Sequence, residues 1–401
     1  MIGSDNIYLK MAYNYSRKNV ILAQTLEKAA FYINKAFSFR KSKSEEINKI
    51  KKILIIEPFQ MSDVASISVM IGPLKNKFPE TLIYILTKTG NENIYEFDNR
   101  VKVIASEFPW ADYNNRWNLK RYFRLLVDIF RIRKLRIGIG IDPRGDIRSQ
   151  LLLLLIGCRE RLGYTSYLNS NITIRGLLLT QIAEHPESKH RYDLNLNLLN
   201  YINVENIYPV KFPSIDVSSI NTGLKKKDEI SVLIHPGAGW IYRQWPETNW
   251  VKLIQKLSEY KRIKITVIGG KGEKEILARI LSSVNDERME FKATSLKDLI
   301  ASIKYSDLFI CLDSGSMNLA VCMDKPVIAL FGPGDSAMWR PYSSKSFYIH
   351  KKENFPCNPC LQKICYYPEN NCMAEISVDD VINSVNKFIN TFGYQNNFNK
   401  Q

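Results

Sequence analysis

The chain has 401 residues, enough for two domains with full cores, and its 45% apolar and 24% charged content is that of an ordinary water-soluble protein. Its 56 Lys and Arg against 40 Asp and Glu leave a formal charge of +16, which favours anionic partners. No zinc-finger, RNP or KH-like signature and no aromatic-interleaved basic platform accompanies that charge, so nucleic acid is set aside.

The first 30 residues carry no signal-peptide core, only Val20 to Ala23 in polar surroundings. The longest apolar run, Leu151 to Cys158, is too short to span a bilayer. The expectation is a cytoplasmic protein, at most peripheral at the inner face of the cytoplasmic membrane. Residues 1–48 read as a basic helical extension, with Tyr15, Ile21, Leu22, Leu26, Ala29, Ala30, Ile33 and Phe37 at near-helical spacing. Through Lys52, eleven Lys and Arg less four Asp and Glu give +7. Such a helix either lies on a membrane surface or packs on the next domain with a solvated basic face; packing is the favoured reading.

Residues 50–215 read as a first Rossmann-like domain. Ile53 to Ile56, Leu82 to Leu86, Val101 to Ile104 and Ile137 to Ile141 are short apolar strands between helical stretches, the pattern of a parallel sheet. The segment Lys120 to Arg136 carries seven basic residues and one acid on a helical pattern with Phe123, Leu126, Val127 and Phe130. It either steers an anionic acceptor or is a solvated basic face. Residues 213–229, with their Ser, Asn, Gly and the Lys225-Lys226-Lys227 run, form a linker.

A second domain spans 230–376 and repeats strand, Gly-rich turn and helix three times. Ile230 to Ile234 runs into His235-Pro236-Gly237-Ala238-Gly239, then Arg243-Gln244-Trp245-Pro246 and a helix around Trp250 to Leu257. Ile263 to Ile268 runs into Gly269-Gly270-Lys271-Gly272-Glu273, and Leu308 to Leu312 into Asp313-Ser314-Gly315-Ser316. Loops of this kind gather outside the carboxyl ends of the strands, where ligands bind. The Ser-Gly-Ser turn opening a helix suits a phosphate or diphosphate, though Asp313-Ser314 also reads as a plain helix cap. A last helix, 377–391, is capped by Ser377.

Cys158, Cys311 and Cys322 lie in apolar runs and read as core residues. Cys357, Cys360, Cys365 and Cys372 form a C-x2-C-x4-C-x6-C cluster, a spacing able to hold structural zinc; free thiols or disulfides are the favoured reading. No metal is assigned to chemistry. A dehydrogenase is disfavoured because no G-x-G-x-x-G opens either half, and a P-loop fails because Gly270-Lys271-Gly272-Glu273 lacks the Lys-Ser/Thr ending.

The ordered set of Lys52 to Ile56 with Ser62-Asp63, Asp142-Pro143-Arg144-Gly145-Asp146, Arg161-Leu162-Gly163-Tyr164, His235 to Gly239, Trp245-Pro246, Gly269 to Glu273, Asp313-Ser314-Gly315 and Ala329 to Pro333 resembles the family-nine glycosyltransferases, the ADP-heptose:lipopolysaccharide heptosyltransferases. The resemblance covers roughly residues 50 to 390. It implies an α/β chain of GT-B architecture: two Rossmann-like domains facing across a cleft, here with the added N-terminal helical segment. In that architecture the C-terminal helix commonly crosses back to the first domain.

The implied activity is inverting transfer of heptose from ADP-heptose, with no cofactor required, to a phosphorylated lipid-linked glycan. The alternatives are another nucleotide sugar, or a non-catalytic nucleotide-sugar-binding subunit. Asp63 is the candidate base, where the residues alone favour a helix cap. Donor contacts are expected from Gly237, Ala238, Arg243, Glu273, Asp313, Ser314, Gly315, Ser316 and Asn318. Thr294 and Leu296 are placed beside the nucleobase by the resemblance only. Glu273 reads equally as a ribose acceptor and as an ordinary first-turn Glu. Three residues depart from the family pattern: Ser62 for Gly, Arg243 for Lys and Asn318 for His.

Overall fold

The computed structural model describes residues 50–392 apart from 97, 112–117, 166–175, 206–228, 261, 285–288, 294, 352–353, 358–359, 361–364 and 370, together with residues 21, 25, 27–29 and 32. The expected N-terminal extension therefore lies almost wholly outside the described residues, as does Thr294. Chain contacts divide the molecule into one unit over 13–213 and another that holds everything from Ser214 onward.

The first unit is built on six parallel strands: β1 (Lys52–Glu57), β2 (Leu82–Lys88), β3 (Val101–Ser106), β4 (Ile139–Asp142), β5 (Glu160–Tyr164) and β6 (Gln181–Ala183). Their order across the sheet is β3-β2-β1-β4-β5-β6. The connecting helices are α1 (Met61–Ser66), α2 (Ser68–Lys77), α3 (Leu119–Arg133), α4 (Ile147–Ile156) and α5 (Arg191–Asn200). Leu54, Ile56 and Leu86 of the sheet pack with Leu125, Ile129 and Ile132 of α3 and Leu152, Leu153 and Ile156 of α4 in one core. Each such side chain, taken fully out of water, contributes about 1.5–3 kcal/mol.

The second unit repeats this plan with β7 (Ile230–His235), β8 (Ile263–Gly269), β9 (Met289–Ala293), β10 (Leu308–Leu312), β11 (Val327–Phe331) and β12 (Phe347–His350), all parallel, in the order β12-β11-β10-β7-β8-β9. Its helices are α6 (Glu247–Ser258), α7 (Lys274–Ser282), α8 (Leu296–Tyr305), α9 (Gly315–Cys322), α10 (Ser336–Trp339) and α11 (Val378–Thr391). Ser377 caps α11 in a reciprocal box with Asp380. The apolar face of α11, Val381, Val385, Phe388 and Ile389, joins the core of this unit beside Trp245 and Trp250. The Trp245 indole donates to the Ile376 carbonyl at 2.8 Å, which ties the segment before α11 to the loop after β7.

Counted within each unit, both sheets have the order 3-2-1-4-5-6. In such sheets the order reverses between the first and fourth strands, and the loops splay apart there to leave a crevice at the carboxyl edge. For this chain those points lie between β1 and β4, and between β7 and β10.

Candidate active site

The reversal point of the first sheet holds a buried cluster of carboxylates and arginines. β1 ends on Glu57 and β4 on Asp142, neither with any exposed surface. After β4 the chain turns through Pro143-Arg144-Gly145-Asp146 with Gly145 at φ +78°, where a side chain would be strained. Asp146 then caps α4, accepting from the Arg148 amide at 2.9 Å. That turn aims Arg144 back toward β1. Its Nη1 donates to Asp63 Oδ1 at 2.8 Å and lies 3.9 Å from Glu57 Oε1. The guanidinium sits over the Phe59 ring, 4.0 Å from its centre, which holds it flat. Arg191, at the start of α5, is buried and donates to Glu57 Oε2 at 3.0 Å and to the Pro143 carbonyl at 3.1 Å.

Asp63 is buried, with 5% of its surface exposed, at the carboxyl edge of β1. Its second oxygen accepts from the Gln60 amide at 3.3 Å, in a capping box at the start of α1. The capping and charged roles thus coexist in one side chain. Burial, then the Asp63 charge, pushes the Glu57 carboxyl up to about 7 against the pull of Arg144 and Arg191. Burial, then Asp146, pushes Asp142 up to about 7, while Gln150 and the Arg144 and Asp146 amides hold it down.

These two raised values fix a pH dependence of stability. The folded state binds protons on Glu57 and Asp142 that the unfolded chain releases near its ordinary carboxyl values. Stability from these groups is therefore fully present at low pH and is lost as pH rises toward about 7. Each contributes on the order of 3 kcal/mol at about 1.4 kcal/mol per pH unit. Urea unfolding of the first unit should show a lower midpoint at about pH 8 than at about pH 5, and Glu57→Gln should flatten the difference. A midpoint that climbs steadily over that range would contradict the assignment.

At the reversal point of the second sheet a polar chain runs across the loop ends. Ser314 Oγ lies 2.8 Å from Ser316 Oγ, Ser316 Oγ 2.8 Å from His235 Nδ1, and His235 Nε2 3.0 Å from Glu273 Oε2, which also accepts from the Gly270 amide at 2.6 Å. His235 thus links the Glu273 carboxylate to the Ser316 hydroxyl through its two ring nitrogens. Burial raises the Glu273 pKa, but its bonds to His235 and Gly270 outweigh this and leave it below its ordinary value. A Cβ on Gly237 would lie 1.6 Å from Glu273 Oε1, so glycine there is what admits the carboxylate.

Arg243 lies 3.1 Å from Asp313 Oδ2 and donates to the Asp313 carbonyl at 3.3 Å. Asp313 is buried, and burial raises its pKa against the pull of Arg243. Asn318 is buried in α9 and donates to the Ser314 carbonyl at 3.3 Å. At the start of α9 the amides of Gly315, Ser316 and Met317 precede the first intrahelical bond, Asn318 to Ser314.

The structure thus brings Arg243, Glu273, Asp313, Ser314, Gly315, Ser316 and Asn318 to one crevice edge, with Gly237 under Glu273. The Ser314 and Ser316 hydroxyls are bonded to each other, and Ser316 to His235. Leu296 opens α8 next to its cap Ser295. His235, which joins Glu273 to Ser316, was quoted in a motif but given no role by sequence. Glu57, Asp142, Arg144 and Arg191 were likewise given none. Asp142 and Arg144 carried a signal, their shared place in the turn that ends an apolar strand.

Gly237→Ala should displace Glu273 and break its bonds to His235 and Gly270, destabilising the second unit by roughly 1.5–3 kcal/mol. Gly239→Ala is the control, because a Cβ there meets nothing within 4 Å. Urea unfolding of both variants checks this; equal midpoints would show that Glu273 is not held there.

Cys357, Cys360, Cys365 and Cys372 are all part-buried. Burial, then the neighbouring thiols of Cys360, Cys357 and Cys365, pushes Cys372 up to about 11. Among the described residues no three His, Cys, Asp or Glu side chains are arranged to hold a metal ion. No helix among them is long and apolar enough to cross a membrane.

Two parallel sheets of the same doubly wound order, one edged by buried carboxylates and the other by glycine-rich loops, define an α/β protein built of two Rossmann-like units. The family model of glycosyltransferase family 9 (heptosyltransferase) matches residues 131–370, and the chain belongs to that family. Lipooligosaccharide heptosyltransferase 2 of Campylobacter jejuni is 26% identical over 162 residues, 38% of this chain and 50% of the relative. Lipopolysaccharide heptosyltransferase 1 of Pseudomonas aeruginosa is 27% identical over 136 residues, 34% of this chain and 37% of the relative. The chain spans half or less of the length of these curated relatives. Among solved structures, a family 9 glycosyltransferase of Veillonella parvula superposes with a TM-score of 0.67 at 17% identity, covering 84% of this chain and 97% of that one. The E. coli heptosyltransferase WaaC with ADP superposes with a TM-score of 0.64 at 16% identity, covering 84% and 99%. At these identities the likeness is one of fold.

Proposed function

We propose that this chain is an inverting glycosyltransferase that moves heptose from ADP-heptose onto a lipopolysaccharide core or another phosphorylated, lipid-linked surface glycan, at the inner face of the cytoplasmic membrane. The observation that supports it most is the division of chemistry between the two reversal points. The first offers a buried carboxylate beside a fixed arginine. The second offers an arginine, the opening amides of α9 and a part-buried acid–histidine–serine chain.

In this reading the first unit takes the acceptor and the second the donor. Asp63 accepts the proton of the acceptor hydroxyl as the new glycosidic bond forms on the face opposite the leaving group. The leaving diphosphate gathers charge, which Arg243 and the α9 amides stabilise. Glu273 Oε1 faces Gly237 while Oε2 is held by His235 and Gly270, which leaves Oε1 to accept from a ribose hydroxyl. Arg144 holds the Asp63 carboxylate in place, and Glu57, raised to about 7, lies against the same guanidinium. Ionising Glu57 changes the charge of the cluster around Arg144 and Arg191, so transfer should rise with pH toward about 7.

Calorimetry with ADP, UDP and GDP tests the donor assignment. ADP should bind tighter than the other two; preference for UDP or GDP would move the donor to another nucleotide sugar.

A further inference from the structure

Helix α3 carries apolar residues on two faces. Leu125, Ile129 and Ile132 face the core and are at most 5% exposed. Leu119, Phe123, Leu126 and Phe130 form a second stripe at helical spacing, with exposures of 81%, 68%, 50% and 66%. The stripe is about 17 Å long at ~1.5 Å per residue. An ordinary surface helix does not do this: in α6, Trp250, Leu253, Ile254 and Leu257 are all buried. Sequence periodicity grouped Phe123, Leu126, Val127 and Phe130 without saying which face meets the core.

Charge identifies what the stripe meets. One flank carries Lys120, Arg124 and Arg131, all exposed. Their nearest acids are few: Arg124 lies 3.8 Å from Glu107, which Arg121 already holds at 2.6 Å, and Arg131 lies 3.6 Å from Asp128. Over residues 119–136, seven basic residues less one acid give +6. A second copy would bring +6 against +6, and this chain's first 52 residues are themselves basic at +7. Both are repelled. A surface that is anionic outside and apolar beneath satisfies the flank and the stripe together.

We propose that α3 is a membrane-docking helix that lays Leu119, Phe123, Leu126 and Phe130 into the acyl boundary of an anionic bilayer, with Lys120, Arg124 and Arg131 at the lipid phosphates. It rests on the membrane-surface location given under the proposed function and names the surface responsible. The helix lies in the unit assigned to the acceptor, so docking presents a lipid-linked acceptor to that unit.

The test is flotation of the full chain with phosphatidylcholine vesicles, with and without phosphatidylglycerol. The wild type should float with the mixed vesicles and not with the neutral ones. Phe123→Ser with Phe130→Ser should weaken binding by at least about tenfold, the worth of one buried aromatic. Lys120→Gln, Arg124→Gln and Arg131→Gln together should weaken it roughly a hundredfold at low salt. Raising salt should weaken wild-type binding. The altered side chains are exposed, so thermal midpoints should not move, and transfer to a deacylated, water-soluble acceptor should persist.

Equal flotation of wild type and the Phe123, Phe130 variant would overturn the proposal. So would a wild-type dimer that this variant dissociates, because the stripe would then meet a second copy. Vesicle binding lost in both variants, with no transfer by any of them, would uphold docking and remove the catalytic reading. Transfer to the soluble acceptor without vesicle binding would remove docking alone.

Discussion

Asp63→Asn should lower sugar transfer by about 10²–10⁴-fold, the usual contribution of a positioned base. Asparagine keeps the shape and an oxygen for the Arg144 guanidinium, which donates to Asp63 at 2.8 Å, but it cannot take a proton. Stability should fall by roughly 1–3 kcal/mol, because a charge-assisted bond becomes a neutral one. Nucleotide affinity should not change, since the donor contacts are assigned to the other unit. Were Asp63 only the capping partner of Gln60, stability would drop while transfer per folded molecule stayed constant. Transfer kinetics, urea unfolding and calorimetry on one preparation separate the two roles.

Arg243→Ala should weaken ADP binding by on the order of 1.5–3 kcal/mol, or roughly 10- to 150-fold, through loss of a charge-assisted contact to the diphosphate. Two effects combine here. The cation facing the anion is removed, and buried Asp313, 3.1 Å from Arg243, loses the charge that opposes its burial. Its carboxyl then moves further up and takes a proton more readily. Arg243→Lys keeps the charge without the fixed fork and should recover part of the affinity. Calorimetry reads both, with thermal midpoints as the folding control. Equal ADP affinity in wild type and Arg243→Ala would remove Arg243 from the donor site.

The runs Ile53 to Ile56, Leu82 to Leu86, Ile230 to Ile234, Ile263 to Ile268 and Leu308 to Leu312 were legible as strands because buried parallel strands are continuous apolar stretches bounded by turn residues. The turns that follow them were legible for the same reason, and they carry most of the expected donor residues. The short strands β5, β6 and β12 were not, because Glu160–Tyr164, Gln181–Ala183 and Phe347–His350 mix polar and apolar residues, and β6 and β12 are edge strands.

The buried ion cluster was beyond reach. Glu57 and Arg191 meet across 134 positions, and Asp63 and Arg144 across 81. No local period encodes such a pairing; only the strand order, which sets β4 beside β1, brings it about. The same holds for His235, whose partners Ser316 and Glu273 come from two other loops. Of the departures from the family pattern, Asn318 bonds to the Ser314 carbonyl and Arg243 to Asp313, so both have defined local partners.

The most direct measurement is transfer of labelled heptose from ADP-heptose to a purified lipopolysaccharide-core acceptor by the full chain. Labelled acceptor should appear with wild type, rise with pH toward about 7, and fall by at least about a hundredfold with Asp63→Asn. Tight ADP binding with no labelled acceptor under any of these conditions would contradict the account and leave a nucleotide-sugar-binding protein without transferase activity.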